Sequence, residues 1–232
     1  MSTRIEVAAE PRRNPLNRER VIRAAVQLAD REGIDALSMR RLAQELGVEA
    51  MSLYNHIDGK EDLLDGMADL IVGAIDPPSA DGDWKAIARG RILSARRAML
   101  RHPWASAVIV SRREPSSAMM AYMDSMAGIF RSGGFTVDLL HHGFHALGSR
   151  ILGFSQELFD DSNDPTDAPE VRAVMLQQMS LAYPNITEIV RQVEHDDASV
   201  VGSGCDDQWE FEFALDLVLD GLAGLKDGHP AS

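Results

Sequence analysis

Three histidines stand close together in this 232-residue chain: His141, His142 and His145. His141 and His145 are four residues apart, so one helix face presents both imidazoles, with Asp138 one turn earlier. That begins a metal-ligand pattern without completing it. Zinc chemistry needs a third and usually a fourth ligand, and neither an HExxH run nor a cysteine pair accompanies these residues. A metal-dependent helical-bundle enzyme using His141 and His145 is therefore only the alternative reading. Polar pocket lining, or an interface or surface position, is the reading preferred for the cluster. His195 and Asp196 pair in the same incomplete way, in a run that reads as an acidic loop. Cys205 lies in that loop, where acidic neighbours raise a thiol pKa. One cysteine excludes an internal disulfide framework. No Ser/His/Asp set, phosphate-cradling glycine loop or nucleotide fingerprint is present, so no catalytic residue, metal ligand or cofactor is assigned.

A second group suggests a different chemistry. Tyr54, Asn55, His56 and Lys60 crowd the end of a short helical pattern that begins at Glu49. Tyr and Lys donate to phosphate oxygens, which positions a protein on a duplex without reading sequence.

Positioning these residues falls to a set of short helices. Val21, Ile22, Ala25, Leu28 and Ala29 recur at helical spacing, with Asn17 as N-cap and Gly33 as the stop. Ser38 caps a second helix that buries Met39, Leu42, Ala43 and Leu46, and Gly47 provides a positive-φ exit. Val48 plugs the turn, and Leu53 packs the third helix inward. That leaves Glu49, Ala50, Met51, Ser52, Tyr54 and Asn55 outward, with His56 at the end. Asp58 and Glu61 resemble a capping box opening a fourth helix through Leu63, Leu64, Met67, Leu70 and Ile71 to Ile75. Three short helices with a tight turn before the third have the spacing of a helix-turn-helix.

Asp76 to Gly82 holds two prolines and breaks any helix. Beyond it, helical patterns lie near 83–101, 103–111, 115–132, 136–159, 168–183 and 206–225, and alternation with a period of two is never sustained. The expectation is an all-α chain in three parts. These are an arm over 1–16, a helix-turn-helix domain over 17–62 whose connecting helix reaches about 75, and a helical body over 83–228. Net charge is −13. Residues 1–60 carry 10 basic against 9 acidic side chains, whereas residues 156–232 carry 3 against 17. A head that does not repel phosphate thus precedes a strongly acidic C-terminal third, which fits nucleic-acid contact at one end only. The start of the chain lacks the apolar core of a secretory signal. No apolar run reaches the ~18–20 residues that span a bilayer. The expected compartment is the cytoplasm, with no membrane partner.

The run NRERVIRAAVQLADREGIDALSMRRLAQELGVEAMSLYNHIDGKEDLLDGM, residues 17–67, resembles the DNA-binding head of TetR-type transcriptional regulators. Gly33, Leu42-Ala43, Leu46-Gly47-Val48, Leu53-Tyr54, His56 and Lys60 are all in step. FEFALDLVLDGLAGL, residues 211–225, resembles the last helix of the branch that includes the tetracycline repressor, and Arg101 to Trp104 is similar to that branch as well. The resemblance implies a homodimer that places one reading helix in each major groove of a duplex operator, and a small-molecule effector in the body. It places Arg40, Ala50, Met51, Ser52 and Asn55 at base-facing positions, and Tyr54, His56 and Lys60 against the backbone. It favours repression, released by the effector, over activation.

In the body, the 136–159 pattern is apolar on more than one face, and 206–225 is similarly rich. The two could form a four-helix bundle with a two-fold mate, as the resemblance also implies. An effector pocket is expected from Met99, His102, Trp104, Met119, Met123, Phe144, His145 and Glu157, although methionine at helical spacing is equally ordinary core. In tetracycline-binding members, a His and a Glu help hold a magnesium–drug chelate. Glu157 is similar in place to that Glu, but Val108 or a neighbour stands where the His would be.

Overall fold

The computed structural model describes residues 15–112, 114–153, scattered positions between 174 and 188, and 207–228. All regular structure among them is helical. Of the expected pattern at 168–183, only part falls within this set, and residues 1–14 of the expected arm, Glu157, His195, Asp196 and Cys205 lie outside the described residues.

Local chemistry sets the helix ends. Helix α1, Arg18–Glu32, starts where the Asn17 side chain accepts the Arg20 N–H at 2.8 Å, and it stops at Gly33. A single 3-10 turn, Ile34–Ala36, leads to Ser38, whose hydroxyl oxygen accepts the Arg41 N–H at the start of α2, Met39–Leu46. Gly47 then adopts φ 65° and ψ 37°, the left-handed conformation that lets the chain leave α2 sharply. Helix α3, Ala50–Leu53, is shorter than the available segment; the chain passes at once into a turn closed by Ile57 N–H to Leu53 C=O. Helix α4, Lys60–Gly73, begins one residue later than the capping-box reading requires. Gly59, not Asp58, is its N-cap, and the side chain that reaches back to the Asp58 N–H is that of Asp62, not Glu61.

Later helices are α5, Trp84–Arg101; α6, Ala105–Ser111; α7, Ser117–Ser132; α8, Val137–Gly153; and α9, Asp207–Gly228. The chain divides into two compact units. The first comprises Met1–Ile75 with Arg97–Tyr122, and the second Asp76–Arg96 with Met123–Ser232. Residues 97–122 thus group with the helices of the head.

The core of the first unit gathers Val21, Ala25 and Leu28 of α1, Leu42 of α2, Leu53 of α3, and Leu63 and Met67 of α4, all essentially inaccessible. Trp104, Ala105 and Val108 join the same core. Gly66 permits the close approach of α4 to α1: a Cβ there would sit 2.5 Å from Ile22 Cδ1. In the second unit, Trp84 packs against Phe130 and edge-on against Phe135. A polar seam runs between α5 and α9. Arg89 bonds Asp216 at 2.7 Å and Glu212 at 2.6 Å, and Lys85 pairs with Asp220. These carboxylates recur every four residues along α9, which fixes its register against α5. Asp76, in the linker, closes onto α5 through Ser94 and Arg91.

Candidate nucleic-acid interface

The reading helix is one turn long, so it borrows its rigidity. Leu53 and Ile57 are buried, and they turn the intervening positions outward. Met51 is 74% exposed and Tyr54 46%. Asn55 is exposed as well, while Ala50, Ser52 and His56 are half-covered. The Val48 N–H bonds the Ala43 carbonyl at 3.0 Å, which ties the turn between α2 and α3 to α2.

Ion pairs then clamp the arrangement. Arg18, at the start of α1, makes a two-pronged bond to Asp62 of α4, with both distances 2.6 Å. Its Nη1 also lies 3.4 Å from the His56 carbonyl oxygen. The Arg18 guanidinium holds the Asp62 carboxyl below its usual range, against the opposing effect of burial. Arg41 of α2 pairs with Glu32 of α1, and Arg31 of α1 with Glu45 of α2. The Arg41 bond lowers the Glu32 pKa as well. None of these clamps was legible beforehand, because each joins residues 9 to 44 positions apart with no periodic signal.

Pairing distinguishes several basic side chains of the head. Arg18, Arg23, Arg31 and Arg41 are held by acids. Arg40 and Lys60 are exposed and have no acidic partner among the described residues. The turn at Tyr54–His56 lies between them in sequence. An exposed one-turn helix, flanked by two uncommitted cations and one phenol, offers donors to a polyanion and leaves small and apolar side chains for base edges.

The residues expected to line an effector pocket fall in different surroundings. Trp104 is buried in the core of the first unit, and its indole N–H donates to Asp30 Oδ1 at 2.7 Å. His102 Nδ1 lies 2.8 Å from the same oxygen. Met99 packs against that core, and Met119 is half-buried at the start of α7. Met99, near the end of α5, and His102 and Trp104, in the turn before α6, thus pack or bond within the head. In the second unit, Phe144 is half-buried with its ring 6.4 Å from Phe130, Met123 is exposed, and His145 is exposed beside His141. Their ring centroids are 4.7 Å apart. His142 approaches Asp138 at 3.9 Å, yet no group of three His, Cys, Asp or Glu side chains among the described residues is placed to hold a metal ion. Val108, at or beside the position expected for the histidine of a magnesium–tetracycline site, is buried among apolar side chains. No helix among the described residues is long and apolar enough to cross a membrane.

A helix-turn-helix head with an exposed reading helix, carried on a helical body, defines a transcriptional regulator rather than an enzyme. Residues 21–67 match the family described as bacterial regulatory proteins, tetR family, and residues 76–225 match the tetracyclin repressor-like C-terminal domain. The chain belongs to the TetR family. It is 31% identical over 231 residues to the HTH-type transcriptional repressor DrrR1 of Streptomyces coeruleorubidus, covering 94% of this chain and 82% of that one. It is 33% identical over 216 residues to the class C tetracycline repressor of Escherichia coli, covering 92% and 93%. Among solved structures, apo ActR from Streptomyces coelicolor superposes with a TM-score of 0.74 at 26% identity, covering 93% of this chain and 98% of that one. ActR in complex with actinorhodin gives 0.72 at 26% identity, covering 92% and 99%.

Proposed function

We propose that this chain is a homodimeric repressor that holds a palindromic duplex operator and releases it when a small molecule binds in the C-terminal helical domain. The observation that carries the reading is the pairing pattern of the head: four arginines spent on internal acids, and Arg40 and Lys60 left exposed on either side of the reading helix. In this reading Tyr54, His56 and Lys60 grip phosphates. Arg40, Ala50, Met51, Ser52 and Asn55 face the bases.

Homodimerisation is supported by α9. It buries Phe211, Leu215, Leu219 and Leu222 along one face and leaves Trp209, Phe213, Leu217 and Leu225 open along another. Four large apolar side chains in one exposed row are more than a lone monomer ordinarily tolerates. Release by a small molecule is supported by the relative ActR, whose structure holds actinorhodin. Within the second unit, Met123, Phe144 and His145 remain the residues proposed to meet such a ligand. His102 and Trp104, engaged with Asp30, are not proposed for that role.

Selection of short duplexes by the purified protein, followed by a salt titration on the winner, tests the reading. The expected winner is a palindrome with half-sites about one helical turn (~34 Å) apart, and log Kd should depend steeply on log salt. Enrichment of no sequence by the purified protein would overturn operator binding.

A further inference from the structure

We propose that Asp30 is a positioning residue: it receives the corner between α5 and α6 and passes that corner's position along α1 to the reading helix. The proposal deepens, and rests on, the reading of the chain as a ligand-released DNA binder. It stands on the two ends of one helix. Near the C-terminal end of α1, a single carboxylate oxygen, Asp30 Oδ1, takes both the Trp104 indole N–H at 2.7 Å and His102 Nδ1 at 2.8 Å. The indole can only donate, and His102 bonds a carboxylate only through a protonated Nδ1, so both donors fix the corner onto one acceptor. The two rings also meet edge-on, with centroids 5.9 Å apart. Trp104 is itself buried in the core shared by α1 and α4, so the corner cannot shift without moving the indole or breaking its bond.

At the N-terminal end of the same helix, Arg18 grips Asp62 with two bonds and approaches the His56 carbonyl, which belongs to the turn that ends the reading helix. Asp62 also accepts the Asp58 N–H, so the same carboxylate ties the turn from α3 to α4 to the start of α1. Twelve residues of α-helix, about 18 Å, separate Asp30 from Arg18. A helix with a packed face is stiff over that length. The corner and the reading helix are thus attached to opposite ends of one rod.

Three further bonds reach the head by another route, from Arg112 to Glu61 and Asp65, and from the Ala118 N–H to Asp69. They meet α4 rather than α1, so they leave the Asp30 route separately testable.

A double-mutant cycle on the full-length protein tests the relay. Asp30→Ala and Asp62→Asn are made singly and together, and affinity for the palindrome selected by wild type is measured. Sites this far apart ordinarily act independently, and their effects multiply to within about 2-fold. A relay makes the double variant lose at least 3-fold less affinity than the product of the single losses, because breaking either end already frees the rod. Any smaller shortfall overturns the proposal. Trp104→Phe, which keeps the ring in the core and removes only the N–H donor, replaces Asp30→Ala if that variant does not fold. Failure of the functional reading is seen separately, in a wild type that selects no duplex. In that case the cycle is read on amide hydrogen exchange at Ile57 and Asp58, with the same 3-fold criterion.

Discussion

Arg18 and Asp62, 44 residues apart in sequence, face each other fork to fork across α1 and α4, with both nitrogen–oxygen distances 2.6 Å. The pair joins the first helix of the head to the turn that follows the reading helix. Planar two-pronged pairing fixes orientation as well as distance, which a lysine in place of Arg18 would not do.

The pair makes stability depend on pH in a defined direction. Hydrogen bonding from Arg18 lowers the Asp62 pKa in the folded state. A carboxyl with a depressed folded pKa stabilises the fold above its unfolded value, near 3.9, and that contribution is lost as pH falls through the folded value. Both side chains are partly exposed, so the expected contribution is only about 1 kcal/mol near neutral pH. Urea unfolding of wild type and Asp62→Asn at pH 7 should differ by about that amount. The difference should shrink below about pH 4. A difference that grows in acid would contradict the assignment.

The division between phosphate and base contacts is tested by salt dependence. Lys60→Ala should weaken binding to every duplex alike and reduce the magnitude of the salt slope by about 1. Tyr54→Phe removes a hydroxyl donor and should weaken binding without changing sequence preference. Arg40→Ala should cost about 1–3 kcal/mol on the preferred duplex, less on others, and so relax base preference. The measurement is a titration of each variant against the selected duplex and a scrambled one over a range of salt. Unchanged binding after losing Arg40 and Tyr54 together would remove this docking mode.

Much of the head was legible because its signals are local. Asn17 and Ser38 cap as their types suggest, Gly47 turns as only glycine does cheaply, and Leu42, Ala43 and Leu53 fall on the buried side their spacing requires. The capping box at Asp58 failed for a physical reason. Asp62 is drawn to both Arg18 and the Asp58 N–H, and this moves the helix start to Gly59. The partner of His102 and Trp104 was illegible for a similar reason, because Asp30 lies more than 70 residues away from both. Contacts of long sequence separation between side chains of opposite charge leave no periodic trace, and in this head they do the clamping.

Leu53 carries more than its own helix. It is the fully buried side chain of α3, with Ala50 packed partly buried against the same core, so the one-turn reading helix is held chiefly through it. Leu53→Ala should cost about 2–5 kcal/mol through lost burial and the cavity left behind. DNA binding should fall further than thermal stability alone accounts for, because the helix loses its anchor even in molecules that stay folded. Thermal unfolding and duplex titration at a temperature well below the transition separate the two effects. Binding that simply tracks the folded fraction would show that α3 is held by its neighbours instead.

The exposed row on α9 makes the assembly itself testable. Trp209 and Phe213 stack at 5.2 Å with planes only 9° apart, and Leu217 extends the row by one more turn. On the opposite side of the helix, Phe211, Leu215 and Leu219 have no accessible surface, so α9 is already fully used by its own unit on that face. Charges placed in the open row therefore leave the interior of that unit untouched while making a two-fold contact repulsive, since in a symmetric contact each substitution appears twice. Phe213→Glu combined with Leu217→Glu is expected to keep the helical content of the wild type and to sediment as a monomer where the wild type sediments as a dimer. The monomer should bind a palindrome no better than a single half-site, because linking two reading heads is what raises affinity for the paired site. Sedimentation equilibrium and titration of the full palindrome against a half-site duplex measure both consequences. A wild type that is monomeric at micromolar concentration, or a double variant that remains dimeric, would move the interface away from this face of α9.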